Sequence, residues 1–533
     1  MANNIRQAMN NKQRTNNIMT KHKRTYFLMI CTAMFLCSCT ITPKPLTMQD
    51  IEQRAEDDFE IMFADQEPVS GPITRYEAMA RAIKYNLDHR LKVMEEALAN
   101  RQFDVSHYDL LPKVVTAAGY RHRNNYSGAY SQSLVDGSQS LVASTSQERT
   151  IMTSDISMMW NVLDFGVSYL RANQQADRLL ITEERRRKVI QNIILDVCDA
   201  YWRAASSERL LTEMNDLLKQ TKSALERSEK IAGQRLKSPR ESLEYQRSLL
   251  KTIRLLWGLI QRLDPAKTEL AALMNLSPGT PYQLTAPNWE SPDIPTFTNA
   301  LESLEHQAMI YRPELREEDY RSRITALEAR KALLKMLPGV DINLGYSDDS
   351  NKFLYHHDWW NVGARISWNI FNLFSGPVAH LAALTQQQLD NVRRQALGMA
   401  ILTQVHLAHR RYYIAMEEYL VSRRLDDVNN RLNAQTAAAA SAGGANEALV
   451  IQSATNALLA RMRHHLAYAE LQNAAGRVYH SIGTDLLPAE VEALDIASLA
   501  KALEQSFNEW NERMNTIINE RSEVVSDDEI SVP

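Results

Sequence analysis

Two periodicities alternate along this chain. Ile190, Val197, Ala204, Leu211, Leu218 and Leu225 stand at strict sevens, and Ile193, Ile194, Tyr201 and Met214 fill the same stripe, the seam by which helices coil around one another. The spacing predicts a helix from about Ser168 to Ile231, about 95 Å long at the α-helical rise. That helix should end at Gly233, turn through Lys237-Ser238-Pro239 and return as an antiparallel partner from Glu241 to Asn275. A kink is expected at Pro265 and a stop at Leu276-Ser277-Pro278-Gly279. The pattern recurs later, as a helix to about Ala440, a Ser441-Ala442-Gly443-Gly444 tip and a return helix to Ser481-Ile482-Gly483.

Ahead of each long helix the period changes from 3.6 to 2. Val340, Ile342, Leu344 and Tyr346 alternate with Asp341, Asn343, Gly345 and Ser347, and Val362, Ala364, Ile366, Trp368 and Ile370 alternate with Asn361, Gly363, Arg365, Ser367 and Asn369. Earlier, Val114, Thr116, Ala118 and Tyr120 share one face, as do Met152, Ser154, Ile156, Met158 and Trp160, with a loop rich in Ser, Asn and Gln between the two runs. Strands are expected at about 112–122, 151–162, 338–348 and 360–371. Each is roughly ten residues, the length a tilted strand needs to cross a bilayer. Periodicity alone fits a soluble four-stranded sheet packed on a core equally well. Aromatics near the strand ends, Tyr120, Trp160, Tyr346, Trp359, Trp360 and Trp368, weigh toward the membrane. Four strands cannot close a barrel, and lipid does not tolerate open edges, so the missing strands must come from other copies of the chain. Three copies would supply about twelve.

The two segments are duplicates. Tyr85-Asn86-Leu87-Asp88-His89-Arg90 aligns with Tyr311-Arg312-Pro313-Glu314-Leu315-Arg316, Leu111-Pro112 with Leu337-Pro338 and Gly119-Tyr120 with Gly345-Tyr346, all at an offset of 226. Past a loop that is longer in the first half the offset becomes 208, aligning Trp160-Asn161 with Trp368-Asn369, Ile193 with Ile401, Val197 with Val405 and Ala200 with Ala408. The repeats span 73–280 and 299–488, joined by a Pro-rich linker at 281–298. A segment at 39–72 precedes them, and 489–533 follows as a helix with an acidic tail expected to be disordered. The fold class expected is mainly α with a small β part: an antiparallel coiled-coil tunnel plus four strands per chain in a trimeric 12-stranded barrel.

Composition adds little bulk character. Sixty basic and 64 acidic residues leave a net charge of -4, so nothing argues for nucleic acid as a partner. With 17 Gly and 17 Pro in 533 residues, breakers are few and elements long. Lys21, His22, Lys23 and Arg24 precede an apolar run from Tyr26 to Leu36, and Leu36-Cys37-Ser38-Cys39 follows. The run is too short to span a bilayer as a helix. It resembles a bacterial lipoprotein signal, occupying 1–38 with an upstream start extension before Met19, in which Cys39 is lipidated and becomes the mature N-terminus. An ordinary secretory signal cut nearby is the alternative. Thr40, where an aspartate would favour the inner membrane, points to the outer one.

No phosphate-binding glycine loop, Gly-x-Ser-x-Gly elbow or His-Glu-x-x-His is present, so neither an enzyme nor a cofactor is expected. His406 and His409 have helical spacing, and His356-His357-Asp358 lies in the short second loop, but neither set has a third ligand and no metal is expected. The run Glu183-Glu184-Arg185-Arg186-Arg187-Lys188 reads as a solvated helix face, and Cys198 as a buried packing thiol.

Ala308-Met309-Ile310-Tyr311-Arg312-Pro313-Glu314-Leu315-Arg316 resembles the start of the second repeat in the outer-membrane factor (TolC-like) family, in its branch of outer-membrane efflux lipoproteins. Leu111-Pro112-Lys113 running into Gly119-Tyr120, and Asp164-Phe165-Gly166, resemble that family's strand borders. The constellation covers about Ile73 to Pro488. The resemblance implies a homotrimeric outer-membrane channel of a tripartite efflux or type I secretion system, a passive duct with a periplasmic tunnel, opened by a periplasmic adaptor and driven through it by an inner-membrane pump. Tip residues facing the adaptor would be Gly233, Ser238, Gly443, Gly444 and Leu449. Family members often carry aspartates after the second tip; here Glu447 is the single acid between Gly444 and Arg461, so packing is expected to hold the gate. The other reading, a lipid-anchored coiled-coil scaffold without a pore, accounts for the heptads and Cys39 but leaves the duplicated strands unexplained. The transported substrate is not written in the sequence.

Overall fold

The computed structural model describes residues 43–64, 66–233, 238–285, 294, 295, 297, 300–444, 446–485 and 495–510. The signal segment, Cys39 and the acidic tail lie outside the described residues, as does most of the linker. The chain divides into two units, the first ending at Ala64. Its helix α1 (Met48–Phe63) starts in a capping box, in which the Thr47 hydroxyl accepts from the Asp50 N–H and the Asp50 carboxylate accepts from the Thr47 N–H.

The second unit is a pair of equivalent halves. The first contains α2 (Arg75–Tyr85), α3 (Leu87–Tyr108), β1 (Lys113–His122), the short β2 (Gly128–Ala129) and β3 (Ser144–Thr145), β4 (Thr150–Asn161), α4 (Val162–Gly233), α5 (Pro239–Leu263) and α6 (Ala266–Leu273). The second contains α7 (Leu301–Tyr311), α8 (Pro313–Leu334), β5 (Gly339–Asp349), β6 (Asp358–Ser367), α9 (Asn372–Ser441) and α10 (Glu447–Ser481). A further helical segment covers 496–510. The offsets read from sequence recur in the element borders. α2 and α7, α3 and α8, and β1 and β5 start 226 residues apart, whereas β4 and β6, both tips and both return-helix ends are 208 apart.

Local chemistry repeats with them. Asn86 and Arg312 hold the same extended backbone, φ -62, ψ 128 and φ -64, ψ 123, breaking α2 from α3 and α7 from α8. Asn86 caps α3 through its side chain, whereas the second half places Pro313 at the first helical position, where its missing N–H costs nothing. The return helices both leave through a left-handed residue, Asn275 (φ 57) and Gly483 (φ 74). They differ at Pro265, which splits the first return helix into α5 and α6 while α10 runs unbroken for 35 residues.

Helix α4 begins directly at the end of β4 rather than at Ser168, and its 72 residues reach about 105 Å at the α-helical rise. Its heptad stripe is the buried seam. Ile190, Val197 and Ala204 lie in the main core with α2, α6, α7, the middle of α9 and the end of α10, and Leu218 lies in a second cluster with Leu256, Leu259, Leu458 and Met462. Towards the tips the core thins to Ala224, Leu249 and Ile451. Each fully buried leucine here contributes about 2 kcal/mol through area removed from water, so the tips are the least tightly held part of the hairpins. Cys198 lies in the main core, where burial pushes its thiol up to about 11.

The charged run at 183–188 is not a solvated face. Arg185 pairs with Glu317 at 2.8 Å, Arg186 with Glu96 at 2.5 Å, Arg187 with Glu184 at 2.6 Å and Asp485 at 3.0 Å, and Lys188 with Glu314 at 3.3 Å. The run is a belt of ion pairs between α4 and its neighbours, formed because α3 and α8 carry acids at the same height.

Candidate functional site

The four long strands form one antiparallel sheet in the order β1-β4-β5-β6. Its register joins the four separate alternations into one apolar face. Val114 pairs with Met158, which pairs with Leu344, which pairs with Val362, and Thr116, Ile156, Tyr346 and Trp360 form the next row. This face is bare: Tyr120 is 66% exposed, Val362 78% and Ile366 73%. Among the described residues no helix is long and apolar enough to cross a membrane. Trp360 lies on this face and Trp368 follows directly after the end of β6; eight extended positions span about 26 Å, close to the ~25 Å height of the apolar band of outer-membrane barrels. Trp359, grouped above with these aromatics, is on the other face opposite Ser347. β6 stops at Ser367 instead of continuing to 371, because the Asn369 side chain accepts from the Phe371 N–H at 3.1 Å and turns the chain into α9.

The opposite face is polar and hydrogen-bonded. The Asp341 carboxylate accepts from Asn161 at 2.6 Å and from Ser367 at 3.1 Å, and Arg365 lies 3.4 Å away. Gly119 and Gly345, equivalent in the two halves, make room on this face for the side chains of their pairing partners Thr153 and Asn361. Where the sheet meets the helices a cavity of about 970 Å³ has a mixed lining, with Asp164, Arg171, Asp341 and Arg365 beside Trp160, Phe165 and Ile342. One side of the sheet thus suits hydrocarbon and the other suits water.

Neither protein-family models nor curated proteins match the chain. Solved structures do: the open state of the Neisseria gonorrhoeae MtrE outer membrane channel superposes with a TM-score of 0.60 at 14% identity, over 79% of this chain and 94% of that one. CusC gives 0.59 at 15% identity, over 79% and 95%, and the Campylobacter jejuni CmeC outer membrane channel 0.59 at 13%, over 88% and 98%. The chain has the outer-membrane factor fold.

In that fold the sequence-derived tip residues of the two hairpins lie at one end of the helices. Gly233 closes α4, Ser238 is the residue before Pro239 at the start of α5, Gly443 has φ 79, and Gly444 donates its N–H to the Ala439 carbonyl at 2.8 Å. Leu449 is 49% exposed on the first turn of α10. Of the residues that connect the hairpins, Glu447 was noted from sequence as a lone acid, whereas its partners Arg227 and Tyr245, and the pairing of Arg461, carry no motif. Glu447 forms an ion pair with Arg227 of α4 and accepts from the Tyr245 hydroxyl of α5 at 3.5 Å. Burial, then the Glu447 charge, raises the Tyr245 phenol. Farther from the tip, Arg461 bridges Glu213 of α4 and Asn430 of α9, the latter at 2.8 Å. The hairpins are therefore joined by ion pairs as well as by packing.

The Arg312-Pro313-Glu314-Leu315 motif is structural glue. Arg312, 3% exposed, donates to the His480 carbonyl and to Gln404, both at 2.9 Å, and pairs with Glu314 at 3.0 Å, while Leu315 is 1% exposed. The histidines are likewise occupied locally. His406 pairs with Glu305, His409 stacks on Tyr413, and among the described residues no group of three metal-ligating side chains occurs.

Proposed function

We propose that this chain is the outer-membrane duct of a tripartite efflux or type I secretion system, a homotrimer anchored by a lipidated Cys39. Three sheets would close edge to edge into a 12-stranded barrel, and the long hairpins would line a periplasmic tunnel. The observation that carries this reading is the apolar face that runs across all four strands of the sheet, bare on a chain whose β1 and β6 edges have no neighbouring strand among the described residues. Pairing β6 of one copy with β1 of the next removes both edges at once, as lipid demands. A pore-less scaffold would leave that face in water, and an enzyme would need a constellation that the polar face does not offer.

The duct is passive, and its control lies at the tips. A periplasmic adaptor that binds the hairpins better when they are rotated apart shifts the population towards the open state by its differential affinity. Arg227–Glu447 and Arg461–Glu213 are the contacts such a rotation breaks. Energy for transport comes from the inner-membrane pump on the other side of the adaptor.

Planar-bilayer recording of the purified protein, with chemical crosslinking in parallel, tests the reading. Single-channel steps from a crosslinked trimer support it. A monomer that never conducts, in any detergent, overturns it and promotes the scaffold.

A further inference from the structure

The two halves differ in length at one place. The paired elements before the first strand loop start 226 residues apart, and the starts of β4 and β6 and both helical tips are 208 apart, so the loop between β1 and β4 carries 18 residues without counterpart. Inside it a pentapeptide is written twice, Ser131-Gln132-Ser133-Leu134-Val135 and Ser138-Gln139-Ser140-Leu141-Val142, separated by Asp136-Gly137. The copies fold alike. The Ser133 hydroxyl accepts from the Val135 N–H at 3.3 Å and the Ser140 hydroxyl from the Val142 N–H at 3.4 Å. The two copies also pair with each other: Ser133 N–H donates to the Ser138 carbonyl and Ser140 N–H to the Ser131 carbonyl, each at 2.8 Å, around Gly137 at φ 71.

This small hairpin pushes both aliphatic pairs outward. Leu134 is 102% exposed, Val135 97%, Leu141 92% and Val142 77%, an arrangement that places four branched apolar side chains in water next to serine and glutamine, which could have stood there at no cost. The stem of the hairpin is fastened on its β4 side. Asn351, 5% exposed, donates to the Ser146 carbonyl at 3.0 Å and accepts from the Glu148 N–H at 3.2 Å, and Lys352 pairs with Glu148 at 3.0 Å.

We infer that the hairpins of three copies meet over the outer mouth of the barrel, burying Leu134, Val135, Leu141 and Val142 against one another and narrowing the duct at the end remote from the helical tips. The inference rests on the trimeric-barrel reading. Twelve strands about 4.8 Å apart and tilted about 40° enclose a ring of roughly 12 Å radius. The thirteen residues from His122 to Leu134, even at about half extension, reach some 20 Å, so each hairpin spans the distance to the axis. The meeting brings together one charge per copy. Asp136 is the single charged residue between 124 and 147, and its carboxylate is turned back onto the Ser138 N–H at 3.1 Å and hydroxyl at 2.8 Å. The stem is tied to the β5–β6 loop at the strand ends remote from the helices, the end at which the mouths of three joined sheets would face one another, which favours another copy of the hairpin over lipid as the occupant.

Leu134→Cys tests the contact, with the unaltered chain run alongside because it carries Cys31, Cys37, Cys39 and Cys198, of which Cys198 is buried. The expected result is a disulfide-linked pair of chains from Leu134→Cys and none from Asn125→Cys outside the repeat. Recording in a planar bilayer, the fourfold variant Leu134→Ser, Val135→Ser, Leu141→Ser, Val142→Ser should conduct more per channel than the unaltered trimer. A conducting, lysine-crosslinkable trimer whose Leu134→Cys form gives no disulfide, and whose fourfold serine variant conducts like the parent, overturns the inference and leaves the duct standing. A polarity-sensitive dye attached to the thiol that Leu134→Cys introduces, if it shifts only on adding phosphatidylglycerol vesicles, overturns it in favour of lipid. A chain that neither trimerises nor conducts removes the duct and the inference together.

Discussion

Arg312 is the residue at which sequence and structure say most to each other. Its motif identified the start of the second half, and the structure shows why an arginine stands there: one planar guanidinium joins the α7–α8 break to the end of α10, to Gln404 of α9 and to Glu314. Arg312→Leu leaves Glu314 and the His480 carbonyl without that donor, and should lower stability by about 3 to 5 kcal/mol, measured as a shift of the denaturation midpoint. Gly483 belongs to the same junction, since at φ 74 an added Cβ would sit 2.7 Å from the Tyr311 carbonyl carbon. Glu447 illustrates the reverse case. From the sequence it was a lone acid in place of an acidic ring; its pairing with Arg227, 220 residues away, belongs to the fold alone. Glu447→Gln weakens that pair without changing size, and is expected to increase the frequency of opening in bilayer recordings while leaving the trimer intact.

At the scale of elements, the two hairpins are alike in length, but the first return helix is split at Pro265 and the second is unbroken. α10 carries a buried layer in which His465 lies beside His464, Arg209, Asp426 and Arg461. Burial first, then the neighbouring positive charge, lowers the His465 imidazole to about 3, and burial lowers His480 to about 4. A histidine held below its ordinary value stabilises the fold fully above about 6.5, and that contribution is lost as pH falls from there towards the lowered value. The thermal midpoint should therefore drop between pH 7 and pH 5, and His465→Phe should make the drop shallower; an unchanged slope would remove His465 from the account. The strands make a matching element-scale prediction. Val362→Arg puts a charge on the apolar face and should cost about 2 to 4 kcal/mol of membrane stability, read as loss of trimer from outer-membrane fractions, whereas Asn343→Arg on the polar face should leave assembly intact and change ion selectivity.

For the whole molecule, the duplication and the two periodicities already determine a great deal: long coiled helices, four strands in two pairs, equal tips and one longer loop. These are legible because heptads and alternations are local patterns that repeat in register. The bare apolar face follows from the same alternation, but its continuity across β4 and β5 depends on how the halves pair, which no local pattern states. The outer-membrane factor fold was recognisable from short duplicated motifs, and residues such as Gly443 and Gly444 were visible because turns demand them. What only the tertiary structure decided are the contacts between residues far apart in the chain: Arg227 with Glu447, Asn351 with the stem of the long loop, and the acids of α3 and α8 with the basic run of α4. Charges and amides have no periodicity of their own, so a run such as 183–188 reads as solvated until the opposing helices bring Glu96, Glu314 and Glu317 against it.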